Sequence, residues 1–224
     1  MSLSNWPVGE GPREKFYERG PAALSDAEVL ALCLGTGGGG RDVLELSRQL
    51  LHRFGSLAEV LGANTGELLA EPGLGRAKVS ALLAAVELAR RSALHDLKRA
   101  DVLNSPQRAR DFLQLHLGER AREVFCCLFL NSQNALICCE DLFLGTLDGA
   151  AVYPREVVRR ALQLGAGAVI FAHNHPSGVA EPSAADRRIT ERLQAALALV
   201  DVRVLDHIIV GAAEPYSFAE SGLL

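Results

Sequence analysis

Around residues 94 to 106, in LHDLKRADVLNSP, the helix-like apolar spacing of the preceding residues lapses, charges accumulate and Pro106 follows. A break of that kind marks a joint between folding units. The sequence therefore predicts an all-α domain over 1–100 and a second domain over 102–224. A chain of 224 residues with 49% hydrophobic content can supply a core to each.

Before the joint, the segments LSDAEVLALCLG, GRDVLELSRQLLHRFG, SLAEVLGA, TGELLAE and RAKVSALLAAVELARRSAL read as helices punctuated by glycine. Ser25 with Glu28 forms a capping-box pair at the start of the first, and Gly35 and Gly55 fall where helices stop. After it the pattern changes class. A helix (PQRARDFLQLHL) precedes a hairpin (VFCCLFLNSQNALICCEDLF) that turns near Ser132-Gln133. A second helix (PREVVRRALQLG) leads into the apolar run AVIFA. A polar stretch, a helix over 183–199, the β-branched run VRVLDHIIVG and a short YSF complete an α/β pattern.

Several function classes are disfavoured at once. No run of 18 apolar residues spans a membrane, and MSLSNWPVGEGPREKFYERG carries charges where a signal peptide needs an apolar core, so a cytoplasmic protein is expected. The net charge is −4, with residues 1–100 neutral, so neither half has a basic surface of the nucleic-acid type. Of five cysteines, four form the adjacent pairs Cys126-Cys127 and Cys138-Cys139 in the hairpin. Neighbouring strand residues point to opposite faces, which sets Cys126 across from Cys139 and Cys127 across from Cys138. Four thiolates so divided cannot share one zinc ion, and small buried packing residues are expected.

Two glycine motifs invite a ligand. GTGGGGRD, 35–42, precedes a helix as a phosphate loop does, but Arg41 and Asp42 stand where that loop needs lysine and a hydroxyl, so a plain turn is expected. EPGLGRAKVSALLAAVELARR, 71–91, resembles a helix-hairpin-helix element, in which Gly73 and Gly75 would let backbone N–H groups and Lys78 approach a DNA phosphate without reading sequence. The competing reading is a glycine turn between packed helices. Any DNA contact by so neutral a domain would be weak and salt-sensitive.

The stretch FAHNHPSGVAEPSAAD, 171–186, is richest in chemistry. Ser183 and Asp186 fit a capping box for the helix that follows. The histidines need another account. His173 and His175, two apart at the end of a strand, point to one side, and the Pro-Gly turn lets the next helix bring a first-turn carboxylate back to them. Two imidazoles and one carboxylate with an open fourth position describe a catalytic zinc site, one ion per chain.

His-x-His, seven residues, Ser, two residues, Asp resembles the JAMM motif of the MPN metallopeptidase domain. With VYPREVVRRAL, AHNHPSG, PSAADRRIT, VLDHIIVG and the N-terminal GPREKFYERGPAALSDAEVLALCLGTG, the chain resembles the bacterial RadC family along nearly its whole length. The resemblance implies an α/β MPN (JAMM) domain of cytidine-deaminase-like fold after a small all-α helix-hairpin-helix-like domain. It implies His173, His175 and Asp186 as zinc ligands and Ser183 as a hydrogen-bond donor to the metal-bound water or the developing oxyanion. It also implies an acid/base glutamate at the start of the first strand, the place held by Glu123; Glu140 and Glu156 compete by proximity. Asn174 stands where eukaryotic deubiquitinating relatives carry Ser or Thr, which bears on substrate. His207, beside Asp206, is either a structural strand histidine or a group that orients a ligand; His52, His95 and His116 have no matching partners.

The activity implied is hydrolysis of a peptide or isopeptide amide by zinc-activated water, with Glu123 moving the proton. Two other readings stand beside it: a DNA-associated repair or recombination factor, and a binding module that keeps the fold without turnover. An otherwise complete donor set argues against the last.

Overall fold

The computed structural model describes residues 11–98, 102, 106–118, 120, 122–145 and 152–224. Residues 1–10 of the N-terminal stretch weighed above, and residues 99–101 and 103–105 of the expected joint, lie outside the described residues. The chain divides between Ala89 and Arg90 into two compact units. The division falls inside a helix, ahead of the 94–106 stretch. The helix runs on to Lys98 because Leu94 and Leu97, three apart on one face, pack into the core of the second unit.

The first unit is helical: α1 (Pro12–Arg19), a short 3-10 turn (Pro21–Ala23), α2 (Asp26–Leu34), α3 (Val43–Phe54), α4 (Leu57–Gly62), α5 (Thr65–Leu69) and the first part of α6 (Arg76–Lys98). Its core joins Leu30 and Leu34 of α2, Leu46 and Leu50 of α3, Val60, Leu68, and Val79 and Leu82 of α6. Gly35 and Gly55 end α2 and α3 in the positive-φ conformation that stops a helix, as their positions predict.

The second unit continues with α7 (Pro106–Leu117), β1 (Val124–Leu130), β2 (Leu136–Leu144), α8 (Pro154–Leu164), β3 (Ala168–Asn174), α9 (Ala184–Ala198), β4 (Arg203–Val210) and β5 (Tyr216–Ser217). The strands form one mixed sheet in the order β2-β1-β3-β4-β5, with β3 antiparallel to β1 and parallel to β4. Strands β1 and β3 are buried along their whole length, which is why they read as unbroken apolar runs. Alternation sorts their side chains. Val124, Cys126, Leu128, Ile170 and Ala172 pack with Phe112 and Leu113 of α7 on one face. Phe125, Cys127, Phe129, Val169 and Phe171 pack with Val157 of α8 and Leu193 of α9 on the other.

The hairpin register differs from the sequence expectation. Cys126 pairs with Asp141, Cys127 with Glu140, Leu128 with Cys139 and Phe129 with Cys138. The chain reverses not through two residues at Ser132-Gln133 but through Asn131 to Ala135. There the Asn131 side chain accepts from Gln133 N and Ala135 N, and Asn134 takes a left-handed φ of 57°. The longer turn, with bulges in the ladder, displaces every partner; the division between faces persists, Cys126 and Cys139 on the α7 side, Cys127 and Cys138 on the other. All five thiols are free, and burial pushes Cys127 well up, as suits an inert packing group.

The capping box of α2 is reinforced across elements. One Glu28 oxygen accepts from Ser25 N (2.9 Å) and Ser25 Oγ (2.8 Å), and the other accepts from Lys15 Nζ of α1 (2.8 Å). The Lys15 ammonium, with the Ser25 donors, outweighs burial and holds Glu28 down to about 2. A depressed carboxylate contributes stability that is present above its ordinary pKa and lost as pH falls through the folded one. Glu28→Gln should therefore cost about 1–2 kcal/mol at neutral pH. The gap from wild type should narrow as pH drops from about 4.5 toward about 2, checked by denaturant melts of both proteins along that range.

Candidate metal centre

Strand β3 delivers His173, 2% exposed, to the α9 side of the sheet, where the Phe125 ring of β1 stacks on it at 6.3 Å between centroids. The chain leaves the strand through His175, whose N–H donates to Val210 O of β4 (2.9 Å), and turns at Gly178. It comes back far enough for His175 Nδ1 to donate to Val179 O (2.7 Å). A carbonyl only accepts, so in the neutral ring the proton sits on Nδ1 and Nε2 presents a lone pair. Four residues later Ser183 opens α9 and Asp186 arrives in its first turn.

The three side chains converge. His173 Nε2 lies 3.0 Å from His175 Nε2 and 3.2 Å from Asp186 Oδ1, and His175 Nε2 lies 3.5 Å from Asp186 Oδ2. Ligands at about 2.1 Å from a tetrahedral ion stand about 3.4 Å apart, so the donor set fits a small divalent cation in spacing as well as in type. Asp186 also caps: Oδ2 accepts from Ser183 N (2.7 Å), and Ser183 Oγ accepts from Asp186 N (3.1 Å). The capping and ligand readings of this carboxylate describe one conformation. Partial burial pushes Asp186 up, but the His173 and His175 imidazoles outweigh it and hold the carboxyl far below its usual range. In return Asp186, assisted by the Val179 carbonyl, raises His175 against the penalty of its burial.

Glu123 immediately precedes β1. Continuing the ladder in which Phe125 faces His173 sets Glu123 opposite His175 and on the same face; it is half-buried, and its charge is one of those raising His175. The competing acids are taken up by arginines. Glu140 receives Arg160 through Nε (2.6 Å) and through Nη2, which holds it below its ordinary value, and Glu156 receives Arg159 at 2.7 and 3.0 Å.

The middle residue of His-x-His points to the other face, as alternation requires. Asn174 is 1% exposed; its Oδ1 accepts from Val124 N (2.8 Å), and its Nδ2 donates to Arg120 O (3.0 Å) and Arg122 O (3.2 Å). One carboxamide thus ties the segment carrying Glu123 to the strand carrying the histidines. His207, fully buried on β4, sets Nε2 2.9 Å from His173 Nδ1 and Nδ1 2.6 Å from Thr190 Oγ1, and burial pushes it well down. Its neighbour Asp206 faces away, accepting from His207 N, Ala219 N and Ser217 Oγ. Thr190 was not singled out by sequence, although its place four residues after Asp186 on one helix face is a signal that could have found it. His116 pairs instead with Asp141 (2.6 Å), and His52 and His95 are exposed.

In the first unit, α5, the turn through Gly73 and Gly75, and α6 follow one another as expected. Lys78 Nζ donates to Gly37 O (3.0 Å) and Gly73 O (2.9 Å), pinning one glycine loop against the other. The loops touch through bare backbone: a Cβ on Gly38 would meet Gly73 O at 2.7 Å.

Residues 103–223 match the family model described as RadC-like JAB domain, and residues 3–80 match that of the UPF0758 N-terminal region. Over the full length of both chains, the sequence is 55% identical to a UPF0758 protein of Nitrosococcus oceani, 54% to one of Cellvibrio japonicus and 53% to one of Aeromonas hydrophila.

The three hydrogen bonds of Asn174 carry a test of their own. Asn174→Ala would leave the Val124 N–H and two carbonyls without the partner they have now, so a loss of about 1–3 kcal/mol is expected from denaturant melts. Hydrogen exchange should localise the loss to the amides at the start of β1.

Proposed function

Because this chain belongs to the RadC family, whose members also carry the name UPF0758, we propose that its JAB domain is a zinc-dependent JAMM-type hydrolase acting on a peptide or isopeptide amide. The observation that carries the reading is the convergence of His173 Nε2, His175 Nε2 and the Asp186 carboxylate. The JAB family includes metallopeptidases, which supports hydrolysis over a pure binding role. Two nitrogens and one carboxylate suit zinc and leave a position open. When bound, zinc supplies a Lewis acid that polarises a carbonyl and acidifies water at neutral pH.

The protein's own groups do the rest. His173, His175 and Asp186 hold the ion, and the Phe125 ring beside His173 keeps that side of the site apolar. The Glu123 carboxylate takes a proton from the attacking water and returns it to the leaving amine nitrogen. The Ser183 hydroxyl, which accepts from Asp186 N, retains its own proton for the developing oxyanion. The place of Glu123 opposite His175, on the face that carries His173, supports it as the base.

Metal analysis tests the ligand set: wild type should hold about one zinc per chain, and His173→Ala and Asp186→Ala should hold little. Undiminished zinc in both variants would sink the assignment. Glu123→Gln, of nearly the same shape, should keep zinc and lose cleavage of cellular proteins by about 10²–10⁴-fold, read by mass spectrometry of newly freed N-termini and lysine ε-amines. Full activity there, with loss in Glu140→Gln, would move the base to β2.

A DNA-associated role through Gly73, Gly75 and Lys78 is the second reading. The α5-turn-α6 arrangement supports a helix-hairpin-helix, while the engagement of Lys78 with two carbonyls weighs against a phosphate contact. Binding of the full chain to duplex DNA at low and high salt decides: a weak, salt-sensitive signal lost in Lys78→Ala supports it, and no binding at low salt removes it.

A further inference from the structure

Thr190 carries one hydroxyl proton and has two close neighbours, each 2.6 Å from Oγ1: the Asp186 backbone carbonyl and His207 Nδ1. The carbonyl cannot donate. If the hydroxyl proton went to His207, two oxygen lone pairs would face each other at 2.6 Å, so the proton goes to Asp186 O, and the remaining contact requires His207 Nδ1–H to donate to Thr190. The neutral His207 ring then has a bare Nε2, which at 2.9 Å accepts from His173 Nδ1–H. A neutral His173 so held would present the Nε2 lone pair to a cation placed between it, His175 Nε2 and the Asp186 carboxylate.

We propose that Thr190 and His207 form a proton-ordering relay that fixes His173 in the one tautomer able to bind a metal through Nε2. They are positioning residues: neither reaches the metal position, and both act through His173. The relay starts where it ends, since Thr190 lies one helical turn after Asp186 on α9 and takes its orientation from that residue's carbonyl. One turn of helix thus supplies a carboxylate and, through two side chains, sets the proton of the imidazole beside it. With valine at 190 the His207 Nδ1–H has no acceptor. Moving that proton to Nε2 lets it donate to His173 Nδ1, and the His173 proton is then driven onto Nε2, into the metal position.

The proposal rests on His173 being a ligand, but its first test needs neither metal nor substrate. Nitrogen-15 spectra of the histidine rings in the metal-free full chain report which nitrogen bears the proton. Wild type and Thr190→Ser should show His207 protonated on Nδ1 alone, with a proton on His173 Nδ1, and Thr190→Val should show a substantial His207 Nε2–H population. Zinc affinity by chelator competition should be equal for wild type and Thr190→Ser, and about 10–100-fold weaker for Thr190→Val and His207→Phe. A merely structural threonine would lower melting temperature in Thr190→Val without moving the tautomer. A wild-type His207 protonated on Nε2, or a Thr190→Val protein with wild-type spectrum and affinity, overturns the relay. Failure of wild type to bind any divalent ion overturns the proposed hydrolase instead, and leaves the spectra to judge the relay alone.

Discussion

The Asp186 carboxylate must satisfy the start of α9 and face two imidazoles from a single rotamer, and the geometry of the site follows from that double demand. Its Oδ2 accepts the Ser183 N–H while both oxygens lie within reach of the histidine Nε2 atoms. A capping box fixes a first-turn carboxylate to within a rotamer, so the helix end becomes the gauge that sets where the ligand stands. The strand is the other gauge. Alternation on β3 sends His173 and His175 toward α9 and Asn174 toward α7, so three consecutive residues hold the candidate ligands on one face and the start of β1 on the other.

This division of labour explains why the site sits at the carboxyl ends of β3 and β4, whose parallel pairing places His173 beside Ile209 and brings His207 up behind it. Strand β1 runs the other way, so its beginning meets the end of β3 and delivers Glu123 to the same rim. A mixed sheet brings a strand start and two strand ends together, which a purely parallel one could not do with these residues.

How much of this the sequence carries depends on whether the determinant is local. The change from helical to α/β patterning, the capping boxes of α2 and α9, and the glycine stops are properties of a few consecutive residues and are legible as such. The His-x-His and Ser-x-x-Asp spacing is legible for the same reason. The hairpin partners are not, because hydrophobic alternation fixes the face of Cys126 and Cys139 but not their register, which the left-handed Asn134 and the longer turn decide. The division inside α6 is hidden because Leu94 and Leu97 continue the helical stripe while changing the core they join. The relation of Glu123 to His175, and of His207 to Thr190, depends on pairings far apart in the chain, so sequence can offer only candidates.

The capping role of Asp186 bears on how an ion reaches the site. Because the carboxylate is held by its own helix, and His175 by the Val179 carbonyl, the donors are assembled by contacts that involve no cation. Small metallo-domains of the zinc-finger type collapse around their ion and fold only when loaded. Here each of these two donors is also held by a contact within the protein, and His173 is 2% exposed while His175 and Asp186 are 19% and 13% exposed. An ion bound as proposed would therefore reach its ligands from the His175 and Asp186 side, the more open edge of the cluster.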